Sequence, residues 1–251
     1  MKVGNIVAFI ITVIINSIAG STTILGGVNT AEISDTNPTL ITPAGYTFAI
    51  WGVIYVLLGV FVIYQALQSQ KGKDFQHKIG WLFVISSILN IAWIFCWQYQ
   101  QLAISVVLIF LLLISLIAIY LRLNVGRGAV PMRERLAVHL PFSVYLGWIT
   151  IATIADVAVT LVSLSWDGLG IAAETWALLI IAIALLIGLI VVVTRKDIGY
   201  GLVIIWALAG IAVKQMQYPL ILLTLEISII IIAIALMGMI LISRLWHRPK
   251  S

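Results

Sequence analysis

The chain is a succession of apolar runs separated by short polar breaks. Eight runs stand out: Val3–Leu25, Ala44–Leu67, Ile79–Tyr99, Leu102–Leu121, His139–Leu164, Thr175–Thr194, Ile198–Val213 and Leu220–Leu245. As helix, a run of about 20 residues crosses roughly 30 Å of hydrocarbon. The seventh run is the shortest, and Gly201 and Gly210 weaken it further as a helix. Strand-type alternation is absent, so a β-barrel is not expected. The pattern predicts an all-α integral membrane protein without internal repeat, low-complexity tract or soluble domain. Composition agrees: 63% of the 251 residues are hydrophobic and 9% charged, against roughly 25% charged in a soluble domain.

Charge sidedness then gives an orientation. Lys2, the Lys71–Lys73–Lys78 group, Arg122 with Arg127, Arg133 and Arg135, Arg195 with Lys196, and finally Arg244, Arg248 and Lys250 occupy alternate breaks. With eight spans these share one face, leaving Lys214 opposite, together with Glu32, Asp35, Asp167 and Glu174. The positive-inside rule puts both termini in the cytoplasm, and a plasma membrane is the expected location. A second reading takes the first run as a leader ending at Ser17-Ile18-Ala19. Seven spans with an external N-terminus would also satisfy the charges. The net charge of +5 reflects sidedness. The basic loops lack the aromatic interleaving of a nucleic-acid reader, so no nucleic-acid partner is expected.

Conventional catalytic chemistry finds little footing. Cys96 is the sole cysteine, which excludes an intramolecular disulfide and reads as buried packing. His77, His139 and His247 have no paired ligand spacing, so no metal is expected. No Ser–His–Asp or phosphate-loop arrangement is present, and an enzyme is not the expected reading.

The informative residues are polar and aromatic positions in helical register. Phe48, Trp51 and Tyr55 share a face of the second span; Ser86, Asn90, Trp93 and Trp97 share one in the third; Trp148, Ala152 and Asp156 share one in the fifth. Trp51, Trp93 and Asp156 lie at similar depth, roughly 9–11 Å from the external ends at 1.5 Å per residue. An ionised acid in mid-span costs at least ~2.5–3.5 kcal/mol on insertion scales, so Asp156 is expected to face a bundle interior or wet cavity. The three faces predict an aromatic-walled pocket with a polar end. Trp81, Trp166, Trp176 and Trp246 read instead as interfacial anchors. Asn90 alone would serve equally as a hydrogen-bonded tie between helices. The loop from Gly26 to Pro43 is long enough to fold over the bundle.

The motifs carry a resemblance. Pro43-Ala44-Gly45-Tyr46-Thr47-Phe48-Ala49-Ile50-Trp51 with Tyr55 resembles the P-x-G-W-x-F-x-x-W-x-x-x-Y segment of the tryptophan-rich sensory protein (TspO) and translocator protein family, once called peripheral benzodiazepine receptors. Leu89-Asn90-Ile91-Ala92-Trp93 is similar to its L-N-x-A-W, and Trp148 to Asp156 to its W-V-S-F-A-T-x-x-N. The likeness covers residues 1–164 and implies a TspO-like five-helix ligand-binding bundle, with residues 165–251 adding three transmembrane helices to the same membrane domain. It further implies a pocket lined by Trp51, Asn90, Trp148 and Ala152, with Asp156 further along the wall and the first external loop as lid. The implied guest is a planar hydrophobic molecule such as a tetrapyrrole, held as ligand by a sensor or carrier without any required cofactor. Membrane lipid and a second copy of the chain are the other implied partners.

Departures from the pattern matter. Tyr46 replaces a Trp, Ala49-Ile50 a Gly-Pro pair, and Asp156 an Asn. The cholesterol-contact motif after the fifth helix is missing, although Leu116, Tyr120 and Arg122 fit its loose form on the fourth. Glu226 is a further acid in the last span, and the short Gln215–Pro219 connection is expected to bring it near Lys214. Coupling of ions or protons through Asp156 and Glu226 in a secondary transporter is the alternative function.

Overall fold

The computed structural model describes residues 2–246, of which 243–246 by backbone alone. His247, Arg248 and Lys250, and the side chains of Arg244 and Trp246, lie outside the described residues. The helices in chain order are α1 (Lys2–Ser21), α2 (Thr30–Thr36), α3 (Ile50–Ala66), α4 (Asp74–Ile79), α5 (Leu82–Gln98), α6 (Leu102–Leu123), α7 (Met132–Glu134), α8 (Leu140–Ser163), α9 (Ala173–Arg195), α10 (Ile198–Lys214) and α11 (Pro219–Trp246). Among the described residues there is no strand. Eight of these helices, α1, α3, α5, α6 and α8–α11, correspond to the eight apolar runs. Six are long and apolar enough to cross a membrane, while α5 and α10 have 17 residues each. The chain is an integral membrane protein.

Two boundaries depart from the apolar pattern for identifiable reasons. The third run starts late because Ile79 closes α4 and Gly80 turns the chain at φ 53°, a region that favours glycine. The fifth starts early. Helix begins at Met132 and passes through a π turn, Arg135–His139, into α8. Pro141 cannot donate the helical hydrogen bond to Ala137, and its ring crowds that carbonyl. A wider turn just upstream accommodates both effects. The connection between the fourth and fifth apolar runs is therefore partly helical.

α8 is the hub. Its residues are buried without a break from Pro141 to Ile151, as expected for a helix enclosed on every side. α3 and α6 pack against it from the first five crossings and α10 from the last three. α1 lies on α3 and α5, and α9 and α11 close around α10. Hydrogen bonds replace water where polar groups are buried between helices. Asn5 Nδ2 donates to Gln65 Oε1 at 2.8 Å, and Asn16 Nδ2 to Asn90 Oδ1 at 2.7 Å, fixing α1. Near the α9–α10 connection, the buried Asp197 carboxylate caps α10 by accepting from Tyr200 N (3.1 Å). It also accepts from Tyr120 Oη (2.8 Å) and Ser143 Oγ. That one carboxylate joins α6, α8 and α10.

Contacts between connections define two ends. Arg127 Nε donates to Thr194 O (3.1 Å) and Arg195 donates to Asn124 Oδ1 (3.3 Å), so the α6–α7 and α9–α10 connections share one end. Lys214 pairs with Asp35 at 2.8 Å, placing the α10–α11 connection beside the first loop at the other.

α10 also grips the approach to α3. Gly45–Ala49 forms a 3-10 turn against α10. Ala44 N donates to Gly210 O (2.9 Å), Trp206 Nε1 donates to Thr47 O (2.9 Å), and the Tyr46 ring meets Trp206 edge-on at 5.6 Å. The approach is so close that a Cβ on Gly210 would lie 2.0 Å from Thr47 Oγ1 and 2.9 Å from its Cβ. Gly52, by contrast, has nothing within 4 Å of an added Cβ. Gly210→Ala should therefore destabilise the protein by about 1–3 kcal/mol through overpacking. Gly52→Ala should be neutral or stabilising by up to about 1 kcal/mol. Thermal unfolding of the two variants in one detergent provides the comparison, and equal midpoints would contradict the close packing of α10 on the Thr47 turn.

Candidate functional site

The α3 approach, α5 and α8 converge on one small cavity. Phe48 comes from the 3-10 turn, Trp51 from the first turn of α3, Trp93 and Trp97 from α5, and Trp148, Ala152 and Asp156 from α8. The first loop, between α1 and α3, folds over them. Asn29 and Glu32 form a reciprocal capping box at the start of α2, and this short helix contributes Thr30 and Ser34 to the lining. Trp97 Nε1 donates to Thr30 O at 3.1 Å, tying the lid to α5. Pro43 completes the cover.

Trp51 sits at the centre of the aromatic layer. Its ring stacks on Tyr55 (5.6 Å, 17°), lies tilted against Trp93 (5.8 Å, 30°), and meets Trp148 (6.2 Å) and Tyr145 (6.1 Å) edge-on. Phe48 meets Trp148 edge-on at 6.0 Å, and Trp93 stacks on Trp97 at 6.1 Å. These are favoured aromatic geometries. The indoles fill their own pocket: the free volume is only about 30 Å³, near the share of one water in the liquid. Little free volume remains in the chamber.

Asp156 is 2% exposed. Trp93 Nε1 donates to its Oδ2 at 2.9 Å; Ser105 Oγ lies 2.8 Å and Thr160 Oγ1 3.5 Å from Oδ1. Ser105 Oγ is also 2.8 Å from Leu102 O. A hydroxyl has one proton to give. An ionised Asp156 takes that proton; a protonated Asp156 donates to Ser105, which then donates to Leu102. The arrangement holds either charge state, and in both the Trp93 ring is fixed by its N–H.

Two of the expected lining residues lie just behind the wall. Tyr55 is stacked under Trp51. Asn90 is fully buried and spends its amide between helices, accepting from Asn16 and donating to Tyr145 Oη at 3.0 Å. Two donors in the aromatic layer stay unpaired: Trp148 Nε1 and Tyr55 Oη have no partner within the protein. Sequence reasoning missed Thr30, Ser34, Pro43, Ser105 and Thr160. Thr160 was findable, since it continues the Trp148–Ala152–Asp156 stripe by one more turn. Ser105 carries no signal beyond being polar in an apolar run.

Glu226 does not join this site. It is exposed on α11 and does not line the chamber. Lys214, expected near it, is held instead by Asp35, because the first loop folds back across the end of α10. Trp81 is 60% exposed at the start of α5. Trp166 and Trp176 pack on each other with ring centroids 5.2 Å apart.

Fold and site together define a multi-pass helical membrane protein with a lidded, tryptophan-walled chamber beside its central helix. The chain belongs to the TSPO-like protein family, which matches residues 2–242. The match thus includes α9 and α10 and most of α11 as well as the first five crossings. No curated relative and no solved structure matches it.

The Asp156 arrangement leads to a graded expectation. Asp156→Leu leaves the buried Trp93 N–H without an acceptor, which costs about 1–3 kcal/mol. Asp156→Asn retains one carbonyl oxygen for Trp93 and should lose less than half as much. Near-UV circular dichroism during thermal unfolding reads both the stability and the Trp93 environment. Equal losses in the two variants would mean that the hydrogen bond does not hold the ring.

Proposed function

We propose that the protein binds a planar, hydrophobic, tetrapyrrole-like ligand in the tryptophan chamber, as a sensor or carrier of that molecule. The observation that carries this reading is an unpaired donor in the aromatic wall. Trp148 lines the chamber and its Nε1 is buried without a partner, a group that costs about 1–3 kcal/mol while unsatisfied. A flat guest with an acceptor group at its edge would stack on the indoles and take that bond. At about 30 Å³ the chamber must open to admit it. The lid supports that step, since α2 has only seven residues and is held by few bonds: Trp97 to Thr30 O, Thr30 Oγ1 to Ala19 O at 3.4 Å, and the exposed Lys214–Asp35 pair. Membership in the TSPO-like family is a further support.

On this reading the protein sits in the plasma membrane with its basic connections and both termini in the cytoplasm. Lipid surrounds its apolar flanks, and a homodimer is the expected assembly. The transporter alternative rests on Asp156 alone, because Glu226 stands apart from the chamber. Its support is the arrangement around Ser105, which accepts the carboxylate in either charge state.

The test is titration of detergent-purified protein with protoporphyrin IX, followed by tryptophan quenching. The wild type should bind saturably. Trp148→Phe keeps a ring but loses the donor, and should weaken binding about fivefold for one hydrogen bond. Trp51→Ala removes the central stacking surface and should weaken it further. Saturable binding indifferent to both variants would sink the chamber as the site.

A further inference from the structure

A much larger cavity lies away from the chamber, in the side of the bundle. α8 and α9 each pack on α10 but hardly on one another. Between them, toward the end that carries the first loop, is a space of about 660 Å³. That is within the range of about 300–1,000 Å³ typical of small-molecule sites. Its walls are apolar: Val157, Ala158 and Leu161 of α8 face Ala173, Ala177 and Ile180 of α9. Its rim is polar and aromatic, with Asp167, Lys214 and Gln215 beside the Trp166–Trp176 pair. A hydrophobic molecule with polar groups along one edge matches that division.

The cavity also leads inward. Ile41 and Ile180 line it and line a second void of about 20 Å³ behind it. Ile151 and Ala155 line that void and also the tryptophan chamber. Three isoleucine side chains and one alanine methyl thus separate the large cavity from the aromatic rings. Ile41 is the part of this partition carried by a loop. Its neighbours Thr39 and Thr42 are held by Gln215, whose Nε2 donates to their carbonyls at 3.0 and 3.4 Å. The Lys214–Asp35 ion pair beside them is solvent-exposed, and such pairs contribute little.

We infer that the α8–α9 cavity is a vestibule that binds an amphipathic, apolar guest and passes it through the Ile41 partition into the tryptophan chamber. The inference rests on the proposed function for the identity of the guest. It also gives the C-terminal helices a role, since α9 and the end of α10 build the far wall of the port and α11 braces both.

The test separates rates from affinity, using protoporphyrin IX and the full-length protein in phosphatidylcholine nanodiscs. Ala158→Phe and Ala173→Trp narrow the vestibule from opposite helices without touching the chamber. Ala173 is exposed, so its variant should fold if the first does not, and both are compared with wild type at matched unfolding midpoints. Stopped-flow quenching should show association and dissociation each slowed about tenfold, with the equilibrium constant moved less than about threefold. Unchanged rates with intact saturable binding would overturn the vestibule and leave the chamber reading standing. Binding lost in Ala158→Phe yet indifferent to Trp148→Phe would make the cavity the final site and overturn both. Absence of saturable binding in the wild type overturns the functional reading, and the vestibule falls with it.

Discussion

A carboxylate inside a hydrocarbon layer must be surrounded by donors, and that requirement on Asp156 organises this protein. Hydrocarbon offers no water to solvate it, so Trp93 of α5, Ser105 of α6 and Thr160 of α8 converge on its two oxygens. The bond from Trp93 sets the orientation of a buried indole. With that ring fixed, Trp51 and Trp97 pack against its faces. The order of the aromatic layer thus follows from satisfying one polar group. Apolar contacts then hold what the hydrogen bonds have aligned.

A second buried carboxylate plays the matching part at the opposite end. Asp197 accepts from α6, α8 and the first turn of α10, and Tyr200 of the same turn donates to Thr150 at 3.0 Å. Both acids act on α8, one through the face toward α5 and α6, the other through the face toward α10. A helix enclosed along so much of its length tolerates few alternative registers. These two polar clusters select one.

The spans were legible in the apolar runs because a helix in lipid satisfies its own backbone and needs only length and hydrophobicity. The site was legible in part, since residues on one helix share a face whenever their spacing follows the helical period. Trp148, Ala152 and Asp156 illustrate this, as do Trp93 and Trp97. What spacing along one helix does not encode is which partner helix a face meets. Asn90 has the right register for the chamber, yet it turns to Asn16 and Tyr145. Lys214 finds Asp35 rather than Glu226 because of the path of a loop, which apolar periodicity does not describe. The early start of the fifth crossing is hidden in the same way, because the charged Met132–Arg135 stretch resembles loop until the π turn ahead of Pro141 is known.

The contact of Gly210 with Thr47 reaches across more than half the chain. Ribosomes deliver the N-terminal crossings first, so the turn that carries Phe48 and leads to Trp51 is made long before α10 exists. Until the seventh crossing is inserted, Thr47 O lacks its indole donor and Ala44 N its acceptor. The mouth of α3 is therefore left unfinished while the following crossings enter the membrane. The turn that carries Phe48 gains its last two hydrogen bonds only when α10 arrives.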